Sequence, residues 1–114
     1  MVDSAFSVHR ELGPGLLESV YEVCLCRELT LRKIPFAAQV SLPITYKGLR
    51  LDAGLRLDLL VADSIIVELK SVQRIDPVFE AQLLSYLKLT GLRLGLLINF
   101  NVPLIKHGIS RVAL

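Results

Sequence analysis

The stretch that decides the fold is Leu55-Arg56-Leu57-Asp58-Leu59-Leu60-Val61-Ala62-Asp63-Ser64-Ile65-Ile66-Val67-Glu68-Leu69-Lys70. Leu55, Leu57, Leu59 and Val61 are apolar at every second position, with Arg56 and Asp58 between them. That period of two marks a half-buried strand. Ile65, Val67 and Leu69 repeat the pattern after the turn around Asp63. Both apolar sets share a face only if the loop has odd length, as Ala62-Asp63-Ser64 does, because a one-residue slip sends every side chain to the other face. The resulting register places Asp58 across from Glu68, with Lys70 on the same face. Glu68 breaks into Ile65-Ile66-Val67 and is followed by Leu69. The strand is therefore expected to be central, where an unpaired charge is costly.

Upstream, the even positions Phe36, Ala38, Val40, Leu42, Ile44 and Tyr46 are apolar or aromatic, and the phase flips after Lys47-Gly48 to Leu49, Leu51, Ala53 and onward to Val61. A two-residue turn pairs Tyr46 with Leu49, so the spacing predicts one hairpin, Phe36–Tyr46 against Leu49–Val61. Pro43 puts the first arm at a sheet edge. Before the hairpin, Val2–Leu12 is a helix stopped by Gly13-Pro14-Gly15, and Leu16 to about Lys33 is a second helix with Pro35 beyond its end. After the third strand, Ile65–Ser71, Asp76 caps and Pro77 opens a helix that runs to about Leu89 and stops at Thr90-Gly91. Arg93–Phe100 is an apolar run that reads as a strand buried on both sides, and Ile109–Leu114 as a last short strand. The order ααβββαβ(β) predicts an α+β sandwich, a mixed sheet of four to five strands flanked by helices in a single domain, residues 1–114.

Composition bounds the function. Hydrophobic residues make up 53% and mean hydropathy is +0.55, which excludes intrinsic disorder. No apolar run has the length of a membrane span, and Met1–Leu12 lacks the build of a signal peptide. Cys24 and Cys26, two apart on a helix, point to different sides and do not bridge. A reduced, cytoplasmic protein is the expectation. The net charge of +2 has no basic cluster behind it, so it neither names nor excludes a polyanionic partner. No Gly-rich phosphate loop or Ser-centred nucleophile elbow is present. His9 and His107 lack zinc spacing and read as surface or loop residues.

Asp58, Glu68 and Lys70 are the sharpest chemical feature. Two carboxylates facing each other across strands can share a hard divalent cation, and a lysine two residues on can orient or help deprotonate a water. The competing interpretation is the ordinary charged face of an amphipathic strand. Glu18 shares a helix side with Leu25 and Leu29 and could add a third acidic ligand, or simply be a first-turn glutamate favoured by the helix dipole. Tyr21 reads as a core aromatic. Gln82 falls on the side of Val78, Phe79, Tyr86 and Leu89, and a buried amide there needs a partner, which a phosphate, a metal-bound water or the backbone would supply. Tyr86, one turn later, either binds substrate or packs.

Gly15-Leu16-Leu17-Glu18-Ser19-Val20-Tyr21 resembles the signature of the GxxExxY family, whose members resemble the PD-(D/E)XK nuclease superfamily. The likeness extends through His9–Gly15, the Asp58 strand, Val67-Glu68-Leu69-Lys70, Glu80-Ala81-Gln82-Leu83-Leu84 and Leu96–Pro103. The superfamily's αβββαβ core is similar to the order above. The resemblance implies that Asp58 and Glu68 bind metal, that Lys70 assists the attacking water, and that Glu18 is the helix acid many of these nucleases use. Gln82 and Tyr86 look like the Gln-x-x-x-Tyr of the RecB-type branch, which steadies substrate or site. Leu57 stands where the family pattern has proline, and Phe79 and Ser85 where His and Asn are expected. The expectation is a nuclease dependent on Mg²⁺, with Mn²⁺ as substitute, acting on nucleic acid and DNA first. The rival is a catalytically silent binding or assembly module that works through a homodimer or a protein partner.

Overall fold

A computed structural model describes residues 1–114. Two helices come first, α1 (Val2–Leu12) and α2 (Glu18–Leu31). Five strands follow: β1 (Phe36–Ser41), β2 (Ile44–Tyr46), β3 (Leu49–Leu51), β4 (Arg56–Val61) and β5 (Ile65–Lys70). Helix α3 (Pro77–Thr90), β6 (Leu94–Asn99), a 3-10 turn at Ile105–His107 and β7 (Ile109–Ala113) complete the chain. The main sheet has the order β1-β4-β5-β6-β7. Only β5 and β6 run parallel, because α3 carries the chain over one face between them.

This is the α+β sandwich that the sequence predicts. Helices α1 and α2 cover one face, where Ala5, Val8, Tyr21, Leu25 and Leu29 meet Leu59, Val61, Val67, Leu69 and Ile98. Helix α3 covers the other, with Leu83, Tyr86 and Leu87 against Leu57, Ile66 and Leu97. The start and stop of α3 follow from its ends. The Asp76 side chain accepts a hydrogen bond from Val78 N at 3.0 Å, and Gly91 closes the helix at φ 75°. Cys24 and Cys26 are free thiols. No helix is long and apolar enough to cross a membrane.

The β4–β5 register is the one required by the apolar alternation: Leu59 faces Val67, Leu60 faces Ile66 and Val61 faces Ile65. The loop between them is Ala62-Asp63-Ser64, closed by Ser64 N donating to Val61 O at 3.1 Å. Strand β5 is central, between β4 and β6.

The long hairpin is corrected in two ways. It is divided: Ile44–Tyr46 and Leu49–Leu51 form a separate two-stranded arm, and β1 pairs β4 from Phe36↔Val61 to Ser41↔Arg56. Four residues, Asp52–Leu55, lie opposite two, Leu42 and Pro43, and Gly54 turns with φ 75°. A two-residue offset preserves parity, so alternation alone could not register it. Tyr46 and Leu49, expected to be core-facing, are about 60% exposed on the arm. Secondly, Leu57 does not share the face of Leu59 and Val61; it packs with α3, and they pack with α1 and α2.

His9 is also corrected. It is buried, with Nε2 2.8 Å from Val102 O and its ring beside Phe100.

Two glycines admit helix or loop onto the sheet. A Cβ on Gly95 would lie 2.8 Å from the buried Leu83 side chain, which would have to shift, whereas on Gly108 it would overlap the Asn99 backbone carbonyl, which is fixed by the sheet. Urea denaturation should therefore show Gly95→Ala losing about 1–3 kcal/mol and Gly108→Ala losing more than that. Equal losses would show the Asn99–Gly108 approach to be looser than described.

Candidate active site

The site forms at the C-terminal end of β5, where the β4–β5 ladder stops at Leu59↔Val67 and side chains take over. Asp58 N donates to Glu68 Oε1 at 3.2 Å, and Leu69 N donates to Asp58 Oδ2 at 2.8 Å. Each carboxylate thus caps backbone belonging to the other's strand. Glu68 is buried, Asp58 and Lys70 half-buried. The Lys70 ammonium lies 4.4 Å from the centre of the Phe79 ring, a cation–π contact that anchors it on the α3 side.

Electrostatics set the protonation. Burial pushes the Glu68 carboxyl up to about 8, and the Asp58 charge pushes the same way; the Asp58 N–H and Lys70 only partly oppose this. The Tyr86 phenol is also raised, by burial and by Glu68 and Asp58, against a hydrogen bond with the Gln82 side chain. Gln82 itself is exposed, not the buried amide expected from its helix side. Its neighbours Val78 and Leu89 are exposed too, so that side borders the buried face of α3 and is not part of it.

Helix α2 brings Glu18 to the opposite lip. The loop before it is tied at two points. Tyr21, fully buried and stacked on Phe100 at 4.5 Å, donates its hydroxyl to Gly13 O at 2.5 Å and accepts from Leu16 N at 3.2 Å. Ser71, just past β5, donates Oγ to Leu16 O. Tyr21 is the core aromatic the sequence predicts, and it also ties down the loop that delivers Glu18. The Glu18 carboxyl is raised by partial burial and by Asp58, with Lys70 and the Ser71 backbone pulling it down.

Glu18, Ser19, Glu22, Gln39, Asp58 and Leu69 line a hollow of about 240 Å³. Asp58 and Glu68 are in direct hydrogen-bonded contact; Glu18 joins them only through the field across this hollow. No three acidic, His or Cys side chains converge tightly enough to ligate one ion.

Sequence reasoning missed four residues here. Glu22 accepts from Gln39 Nε2 at 2.6 Å, and neither residue differs by pattern from a solvated one. Phe79 reads from the sequence as a neighbour of Gln82 and a departure from the family's histidine, with no sign of its contact to Lys70. Asn99, buried at the end of β6, accepts from Val72 N and Asn101 N and donates to Val72 O, fixing the chain just beyond Lys70. Its signal was available: a lone amide ending an apolar strand needs buried partners.

The family model described as the PD-(D/E)XK nuclease superfamily matches residues 1–112. The chain belongs to that superfamily. No curated protein and no solved structure gives a significant match. Asp58 and the Glu68-x-Lys70 pair are the acidic and basic elements of this chain that resemble the motif for which the superfamily is named.

The raised Glu68 carboxyl has a consequence for stability. In metal-free protein, unfolded Glu68 loses its proton above its ordinary value of 4.5 but native Glu68 keeps it until about 8. The folded state then holds more protons across that window, so this contribution is full below 4.5 and falls as pH rises to 8. Glu68→Gln should remove that slope and gain roughly 3–5 kcal/mol over the parent at the alkaline end. Urea melts in chelator across the pH range check this, and parallel profiles for the two proteins would contradict it.

Proposed function

We propose that this PD-(D/E)XK protein is a metal-dependent phosphodiesterase that hydrolyses nucleic acid, with DNA as the first substrate to test. The observation that carries the reading is the interlocked Asp58–Glu68 pair with Lys70 beside it at the end of a central strand. The donor set fits a hard divalent cation. Both ligating groups are oxygen acids, and without a cation burial, and then the Asp58 charge, keep Glu68 protonated. Asp58 and Glu68 would hold Mg²⁺, or Mn²⁺ in its place, with the Glu18 carboxylate adding its charge from across the hollow. Such an ion, when bound, supplies Lewis-acid polarisation of the phosphate and a more acidic water.

The chain's own residues do the rest. Lys70, held by the Phe79 ring, orients the attacking water and opposes charge gathering on the phosphate. Tyr86 and Gln82 line the α3 side, where the phenol, held protonated by burial and then by its acidic neighbours, donates to a substrate oxygen. Glu18 closes the α2 side.

A second reading, a silent binding or assembly module, is favoured by the exposed apolar arm carrying Tyr46, Leu49 and Leu51. The two separate by metal. Calorimetric titration should show saturable Mg²⁺ or Mn²⁺ binding that Asp58→Asn abolishes and Lys70→Ala keeps, with cleavage of a DNA substrate lost by at least 100-fold in both variants. Absence of binding by the parent at millimolar metal would contradict the nuclease reading and favour the module.

A further inference from the structure

Five residues other than glycine have positive φ: Lys33, Gln39, Lys47, Ala62 and Asp63. Four occupy chain reversals. Lys33 follows α2, Lys47 is the arm's turn, and Ala62-Asp63 is the β4–β5 loop. Gln39 alone lies inside a strand, at φ 52°. A left-handed conformation is costly for an L-residue, and glutamine has no short side chain to offset it locally. Such an outlier persists where its surroundings enforce it.

Its position in the ladder is informative. The β1–β4 pairing runs Ala38↔Leu59 and then Val40↔Leu57, skipping the step at which Gln39 would face Asp58. Both strands change faces at that step. On the near side Phe36, Leu59 and Val61 pack toward α1 and α2; beyond it Val40 and Leu57 pack toward α3. In a regular pleat, residues two or four apart stay on one face. Asp58 stands at the switch, and its carboxylate meets the Leu69 amide where a regular ladder would offer a carbonyl. The Gln39 side chain is tied to Glu22 across the hollow that Asp58 lines.

We infer that Gln39 is a positioning residue for Asp58: its left-handed backbone makes β1 and β4 change faces together, and that change delivers the Asp58 carboxylate to the Leu69 amide. The inference rests on the proposed function only in treating Asp58 as a site carboxylate. Its structural content stands without metal or turnover.

The test is amide hydrogen exchange at Leu69 in the metal-free full chain, followed by NMR, with Ile65 and Val67 of the intact ladder as internal references for global opening. Gln39→Gly removes both the side chain and the cost of the conformation; Gln39→Ala removes the tie to Glu22 and leaves the cost that glutamine already carries, and Gln39→Val raises that cost through β-branching. Gln39→Gly should hold Leu69 protection close to that of the parent. The valine variant should lose it about tenfold or more relative to the references, and the alanine variant less, because it loses only the Glu22 tie that helps offset the penalty for a left-handed L-residue. Should the valine variant not fold, the glycine–alanine comparison decides. Mn²⁺ titration should follow the same order, tightest in Gln39→Gly. Unchanged Leu69 protection in the folded alanine or valine variant would overturn the inference, as would equal loss in the glycine and alanine variants. A parent that binds no Mn²⁺ would contradict the proposed function, while the Leu69 comparison would still decide the role of Gln39.

Discussion

Two carboxylates sit where the β4–β5 ladder should continue, and the rest of the site depends on that exchange. A backbone ladder is neutral and self-satisfying; here Asp58 N–H takes a carboxylate oxygen of Glu68, and the Leu69 N–H takes one from Asp58. Backbone donors are thus satisfied by acids, at the cost of bringing two negative groups together in a buried strand. The strain appears in the Glu68 carboxyl, held protonated into the neutral range. A hard cation is the simplest partner for such an arrangement, and membership of a nuclease superfamily is consistent with it.

The remaining elements hold that end of the sheet in register. Tyr21 and Ser71 pin the loop that carries Glu18, Asn99 fixes the chain leaving Lys70, and Phe79 steadies the lysine itself. These supports come from both helical layers. The hollow beside Asp58 is bounded by α2 and β1, while Glu68 lies near Tyr86 of α3.

Much of this was legible because side-chain alternation constrains register strongly. Leu59, Val61, Val67 and Leu69 share a buried face only in registers of one parity, and the three-residue loop selects the one that sets Asp58 against Glu68. The ends of α3 were equally readable from Asp76, Pro77 and Gly91. The face change at Leu57 was not, since leucine is apolar whichever side it enters and the cause is a backbone angle at Gln39. The divided hairpin escaped because its offset is two residues. His9 and Glu22 found partners that are distant in sequence, Val102 and Gln39, and a local pattern carries no trace of such partners. Gln82 was placed on the right helix side, but that side turned out to be a margin and not a core face.

The proposed role of Asp58 and Glu68 requires an acid pair whose second proton leaves at neutral pH only when a cation binds. The most direct measurement is the side-chain carboxyl resonance of Glu68 followed by ¹³C NMR against pH, with and without saturating Mg²⁺. The account predicts a midpoint near 8 in metal-free protein and full ionisation at neutral pH once Mg²⁺ is present. A midpoint at the ordinary 4.5, unmoved by the metal, would contradict it.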